Sequence, residues 1–485
     1  MTTIVLSRRQ GASTLLLAAA LLAGLPGVAG AQVTAGTKLR GAVFGEDARD
    51  LGATPPDGAE PDEGRNASYV ELNPFLHLRF GEENALFVRS QLFAAAGDEV
   101  VQNEDERPVR AEQYAALREL WLQVGGPTSF PGEVIRFGLQ RVKEPDGLWW
   151  DRDLESLRWI FDTTLVQAQL GVAEQFGTWR SDDVELSPSQ RDRAYVFASM
   201  KRQWQPGYFY GLRATYAQDH GGLPQPGDTL DADTKRHQRE YLWVALRSEN
   251  GYYDPRNSTG STYWFEAIAL AGRRESAQTG STDPGDPTAP PSDTVVGTSK
   301  ETVSALAGDA GVRFRLPLIF PMNLGLMASA AQGDRSGDQS HVFEQTGLES
   351  NRSRYTGTRT LMHRFNEALG ADWSNLLAVN AFVSMPYELA DFSLVYHRFA
   401  RHDPDESFSA DGIDARPVTD SRDLGTGWDL VITRYFRGFS LAEMEDDDDA
   451  RSNVRLRASR FSPGAAYGND VRDQYRVLLE LTLWL

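Results

Sequence analysis

The chain of 485 residues has no cysteine, so neither disulfide stapling nor thiol chemistry is open to it. Beyond residue 31 it also has no apolar run of about 18 residues, which excludes a bundle of membrane-spanning helices. Its seven histidines show no H-E-x-x-H or other zinc spacing, and neither a G-x-S-x-G elbow nor a glycine-rich phosphate loop is present. A formal net charge of -19 argues against nucleic acid as a partner. These absences remove most enzyme classes and leave a chain whose content lies in its pattern.

Arg8 and Arg9 precede an apolar stretch from Ser13 to Ala23, with small residues at Ala29 and Ala31. That layout predicts a secretory signal over 1–31 and a mature chain from Gln32. The mature sequence alternates. Near the carboxyl end Tyr475, Val477, Leu479, Leu481, Leu483 and Leu485 share one face of a strand, opposite Gln474, Arg476, Glu480 and Thr482. Val70, Leu72, Pro74, Leu76, Leu78 and Phe80 form a second such face. Apolar residues at every second position, with Gly, Pro, Asp or Asn at the breaks, predict short strands rather than helices.

About 18 such segments can be marked, an even number suited to a closed antiparallel transmembrane β-barrel. The reading is one all-β domain over 32–485, in a Gram-negative outer membrane, with both termini periplasmic. Short connections at 81–83, 205–207 and 387–390 alternate with long ones at 98–112, 219–236, 273–304 and 401–424, and longer turns at 249–261 and 437–452 break the rule. The proline-rich stretch 275–304 is predicted not to pair as strand. Trp121, Trp149, Trp150, Trp159, Trp179, Trp204, Tyr208, Tyr210, Trp428 and Trp484 are expected in interfacial belts. The competing picture makes them core aromatics of a soluble sandwich.

Arginines inside the strands are the informative feature. An arginine facing lipid at mid-depth costs about 2–4 kcal/mol, so strand arginines must line the interior or reach an interface. Alternation with Val454, Leu456 and Ala458 turns Arg455 and Arg457 inward, and the same argument covers Arg79, Arg213 and Arg315. Arg40, Arg118 and Arg141 are left open by their positions. The guanidinium fork matches a carboxylate with two parallel hydrogen bonds and stays charged. Asp151 and Asp182 would hold such forks and keep an anion from binding too tightly to leave. The plain structural alternative is a lattice of salt bridges that stiffens the barrel. The densest motif, 344–364, sets Arg352, Arg354, Arg359 and Arg364 among Ser, Thr, Asn and Gly, as in an outer loop folded into the lumen.

At 48–52, 120–124, 135–141, 161–176, 347–359, 393–399 and 463–468 the chain resembles the alginate-export family of bacterial outer-membrane porins. The resemblance implies an 18-stranded monomeric barrel with an electropositive constriction that passes an anionic polyuronate. It places lumen charges at Arg40, Arg118, Arg141, Asp151, Asp182, Arg352, Arg359 and Arg455, a long periplasmic turn at 437–452 and an outer lid near 98–112. It also implies delivery by periplasmic and inner-membrane synthesis or secretion proteins. Two departures stand out: Asn73 sits where the family is expected to carry arginine, and the chain closes on Trp484-Leu485 rather than on an aromatic.

The rivals are a general anion or small-uronate porin, an adhesin and a secreted polysaccharide-degrading enzyme built on pairs such as Asp182-Asp183. No cofactor is expected. Asp403, Asp405 and Glu406 have the oxygen chemistry for structural calcium but lack EF-hand spacing.

Overall fold

In the computed structural model the described residues are 32–52, 63–81, 83–98, 100–101, 108–109, 112–128, 130–182, 186–230, 234–255, 257, 260–280, 294–336, 339–440 and 451–485. The expected signal at 1–31, Asp183, most of the 437–452 turn and the middle of the 98–112 lid lie outside them.

Among the described residues eighteen long strands form the wall: β1 (Gln32–Glu46), β2 (Arg65–Phe80), β3 (Asn84–Gly97), β4 (Gln113–Gly125), β5 (Glu133–Lys143), β6 (Asp151–Asp162), β7 (Val166–Glu174), β8 (Arg193–Gln205) and β9 (Tyr208–Asp219), then β10 (His237–Glu249), β11 (Ser261–Thr279), β12 (Val295–Leu316), β13 (Met322–Ala331), β14 (Leu376–Tyr387), β15 (Ala390–Arg401), β16 (Asp423–Ser440), β17 (Arg451–Pro463) and β18 (Gln474–Trp484). Each pairs antiparallel with its successor, and β18 pairs back onto β1, with Lys38 opposite Trp484 and Glu46 opposite Arg476. Closure removes the sheet edges and satisfies the backbone from strand to strand, as lipid requires.

The wall is inside out relative to a soluble protein. Val43, Val70, Leu212, Leu246, Leu326, Leu479 and Leu481 stand exposed on its outer face, while Glu71, Arg213, Glu266, Asp309 and Glu480 are buried within. Water would penalise that exterior at about 25 cal/mol per Å² of apolar surface, whereas hydrocarbon does not. The soluble-sandwich picture is thereby removed.

Two expectations are corrected. Trp121, Trp149, Trp150 and Trp484 are buried inside, although Trp204, Tyr208, Tyr210 and Trp428 do stand on the outside. Trp149 and Trp150 find apolar partners because connecting segments fold into the lumen, which period-two reading cannot register, whereas Trp121 and Trp484 pack on the wall residues Phe75, Ala85 and Phe87. The stretch 275–304 is also partly strand: β11 continues to Thr279 and β12 starts at Val295, paired with each other. Polar side chains do not prevent backbone pairing outside the hydrocarbon.

Two insertions shape the interior. The long connection 332–375 folds down into the barrel, where a small hairpin pairs Arg352 with His363 and Ser353 with Met362. Its residues Thr356, Thr358, Arg364 and Asn366 are fully buried. The second insertion is the outer end of the β5–β6 hairpin. β4 pairs with β5 only between Gly125↔Val134 and Leu120↔Leu139, and β6 pairs with β7 only from Glu155 onward. Beyond those points the hairpin pairs with itself, up to Lys143 opposite Asp151. It crosses the lumen, with the Trp150 indole N–H donating to Thr215 Oγ1 on β9 at 2.9 Å.

Gly138 marks the departure. Its φ of 120° and the 2.2 Å from its would-be Cβ to the Leu120 carbonyl leave no room for a side chain. The gap left in the wall is patched by the connection after β7, where the Leu117 amide donates to the Trp179 carbonyl at 3.0 Å and the Ser181 amide to the Ala115 carbonyl at 2.9 Å.

Candidate functional site

The two insertions fill part of the lumen and leave a cavity, the crescent, against β1, β3, β17 and β18. The space is about 1260 Å³, part of it open to solvent. Nine arginines and two lysines line it, against one aspartate and one glutamate. Alternation along the wall supplies Lys38 and Arg40 from β1, and Arg451, Asn453, Arg455 and Arg457 from β17. The inserted hairpin supplies Arg141, Lys143 and Asp151, and the folded-in connection supplies Arg352, Arg354 and Arg359.

Most of the acids that hold these forks stand behind them. Arg40 pairs with buried Glu71, which Asn73 also holds through Nδ2 at 2.6 Å. The asparagine in the place expected for an arginine therefore fixes the partner of an arginine. Arg352 and Arg457 converge on Glu367, at 2.5 and 2.8 Å. Burial pushes the Glu367 carboxyl up, but the charges of Arg352 and Arg457 outweigh it and hold the group well below the usual carboxylate range. Arg359 makes a bidentate pair with Asp391, at 3.2 and 2.9 Å, while lying 3.8 Å from the centre of the Tyr435 ring. Arg89 reaches Glu119 at 2.8 Å. Among the described residues only Asp151, 2.7 Å from Arg141, and Glu480, 3.0 Å from Arg455, show carboxylates to the cavity itself.

Of the residues singled out in the sequence, Arg40, Arg141, Asp151, Arg352, Arg354, Arg359, Arg455 and Arg457 meet around this one space. Arg79 does not: it lies next to the short-turn end of β2. Arg118 is the extra residue of a β-bulge in β4 and pairs with Asp153 at 2.7 Å, in a separate narrow cleft behind the inserted hairpin. Asp182 holds Arg180 of that cleft, at 3.0 and 2.7 Å, rather than any residue of the crescent. Arg213 faces inward as expected but is walled in by Asp146 and Glu266. Lys38, Lys143 and Arg451 were missed, though each lies an even number of positions from a residue already chosen. Arg89 was missed too, although it shares the inward face of β3 with Phe87, Gln91 and Phe93.

Among the described residues no group of three or more His, Cys, Asp or Glu is placed to hold a metal ion. In the acidic loop Glu406 pairs with Arg335 at 3.1 Å, and Asp403 Oδ1 accepts the Asp405 amide at 2.9 Å.

The family model described as alginate export matches residues 32–477. The chain is 35% identical over 473 residues to the alginate production protein AlgE of Pseudomonas aeruginosa, covering 93% of this chain and 92% of that one. It is 30% identical over 500 residues to AlgE of Azotobacter vinelandii, covering 96% of each. Solved structures similar to it include Pseudomonas aeruginosa OpdK with vanillate (TM-score 0.49, 13% identity, 94% of this chain and 99% of that) and Acinetobacter baumannii OccAB1 (TM-score 0.49, 10% identity, 93% and 97%).

Proposed function

This chain belongs to the alginate export family, an outer-membrane β-barrel of the porin type that exports alginate, and from that premise we propose that the polymer crosses through the arginine crescent. The observation that carries the reading is the imbalance of the lining, eleven cations against two carboxylates, with the counter-charges held behind the forks. Each polymer carboxylate entering would meet a planar donor fork already oriented, and would pass to the next at little cost because several are within reach. Asp151 and Glu480 keep local affinity from becoming a trap. The barrel holds no energy source, so synthesis or a concentration gradient drives the flow.

The proposal extends to a chain that acts as a channel and not as an enzyme, as a monomer, with residues 1–31 removed on export. Both termini face the periplasm, where synthesis and secretion proteins deliver the polymer. The arginine lattice serves stability as well, but a lattice alone does not call for an excess of cations around a solvated space.

Planar-bilayer conductance across a salt gradient tests the reading. Anion-selective current, blocked by oligomannuronate and not by a neutral oligosaccharide of equal length, is the expected result. Cation selectivity, or equal block by both sugars, would sink it. Block by the monomer as strong as by the oligomer would favour a small-uronate porin instead.

A further inference from the structure

Around Arg313 on β12 the interior is rich in hydrogen-bond donors and poor in acceptors. Arg313 is 3% exposed, and among the described residues no carboxylate pairs with it. Its Nη1 donates to the Tyr252 carbonyl at 2.6 Å, and its guanidinium lies over the Tyr252 ring, 5.3 Å from the centroid. On the other side Gly357, at φ 76°, brings the backbone so close that a Cβ would stand 2.6 Å from Nη1. A guanidinium carries five N–H donors, so most of these lack a protein acceptor.

The neighbours add donors. Thr262 stands directly across the ladder on β11, and its buried hydroxyl has no partner. The Trp264 indole N–H, opposite Gly311, and the Tyr252 hydroxyl are buried without partners too. Arg315, two residues along on the same face, donates to the Asn257 carbonyl at 3.4 Å. Asp254 on the 250–260 turn acts on Arg313 through space without pairing with it.

This is unlike several other buried arginines. Arg213, Arg193 and Arg364 each face a carboxylate, and Arg401 makes three bonds to the carbonyls of Pro404, Thr419 and Ser421, with only its Nε left over. A buried cation without a counter-charge is costly, and arginine does not relieve the cost by losing its proton. Buried donors left unbonded commonly mark a missing ion or water.

We propose that a small anion of the carboxylate or halide class sits beside Arg313, with the Thr262 hydroxyl as its second donor. The site rests on the export reading in one respect: it lies across the tip of the internal hairpin from Arg354 and Arg359, near the short-turn mouth, where a uronate carboxylate would dock before or after the crescent.

Full-length protein crystals soaked in bromide provide the direct test. An anomalous peak within hydrogen-bond reach of Arg313 and Thr262, lost in Thr262→Val or Arg313→Gln, is expected. Water alone there, in crystals whose other anion contacts do take bromide, overturns the proposal. Gel migration of unheated protein checks that each variant has folded, and Thr262→Val keeps the test alive if Arg313→Gln does not assemble. Oligomannuronate added from each side of a bilayer then separates the sources. Block weakened about tenfold by Arg313→Gln from the short-turn side alone marks a uronate seat. A bromide peak with unchanged block marks a free-anion site, and a peak in a wild-type channel that oligomannuronate never blocks leaves the site standing while the export path falls.

Discussion

Two populations of arginine share one lumen and differ in their counter-charges. In the packed part Arg213 lies between Asp146 at 2.8 Å and Glu266 at 2.5 Å, Arg193 meets Asp219 at 2.6 Å, Arg247 meets Glu144 at 3.1 Å and Arg364 meets Asp309. Around these four, charge is matched and burial is nearly complete. In the crescent the cations outnumber the lining acids and face solvated space. The same residue type thus staples the insertions to the wall on one side and, on the proposed reading, offers charge to a passing ligand on the other. A fork enclosed with its acid makes structure, while a fork paired from behind and turned to open space is left able to meet an anion.

The largest test of that contrast removes a matched partner. Asp309→Ala leaves Arg364 buried with only the Tyr253 and Ser353 hydroxyls and a distant Asp146 carbonyl. Loss of about 3–5 kcal/mol is expected, read as a lower unfolding midpoint in denaturant. Arg455→Ala in the crescent, at a less buried position and leaving Glu480 near Arg40, should cost about 1 kcal/mol and show instead in the reversal potential. Equal destabilisation by the two would erase the distinction.

Next in size is Gly138→Ala. A Cβ at that φ meets the Leu120 carbonyl, so β5 must shift where it leaves the wall. About 1–3 kcal/mol of destabilisation is expected, together with reduced conductance, because the displaced hairpin carries Arg141 and Asp151. Stability loss with conductance unchanged would detach the hairpin from the crescent.

Acid should loosen the internal segment before the wall. Glu367 has its folded pKa depressed, so its contribution is complete above about 4.5 and is lost as pH falls through the lower folded value. His363, lowered to about 3 by burial and by Arg352, stays neutral when folded and costs stability as pH drops below about 6.5, where the unfolded residue takes up a proton. Both effects have the same sign. A tenfold difference in proton affinity between folded and unfolded chains is worth about 1.36 kcal/mol. A fall of roughly a few kcal/mol between pH 7 and pH 4 should therefore appear as faster amide exchange at 352–367 than in β9–β12. Faster exchange at high pH beyond the intrinsic rate would contradict it.

How much of this was legible depends on whether a side chain obeys its strand. All eighteen wall segments follow from alternation, and so does the inward turn of Arg455 and Arg457, because one face must meet lipid. Arg141 defeats the same reasoning. It shares a strand face with Ile135 and Phe137, and Phe137 is exposed on the outside, so period two sends Arg141 outward too. It reaches the cavity because the hairpin has left the wall, a tertiary event signalled only by a glycine. Trp149 and Trp150 were misread for the same reason. The 344–364 motif was legible by composition, since its hydroxyls and amides suit neither lipid nor an exposed apolar strand. Its arginines still divide between the two populations, Arg364 to the packed part and Arg352 to the crescent, in a way set by which carboxylates of other strands they meet.

The smallest predicted change gives the finest discrimination. Glu480 is the wall carboxylate of the crescent, 3.0 Å from Arg455 and 3.8 Å from Arg40. Glu480→Gln keeps the shape and a hydrogen-bond acceptor, and Arg40 keeps Glu71, so the fold should lose only about 1–2 kcal/mol. The lining then becomes more positive. If Glu480 limits how tightly a polymer is held, oligomannuronate should dwell longer in the variant, and current through the open pore should become more anion-selective. If Glu480 merely braces Arg455, freeing that side chain should shorten the dwell and leave selectivity as it was. The sign of the change in dwell time therefore decides whether an acid on the lining belongs with the matched pairs of the packed part or with the cations that face the ligand.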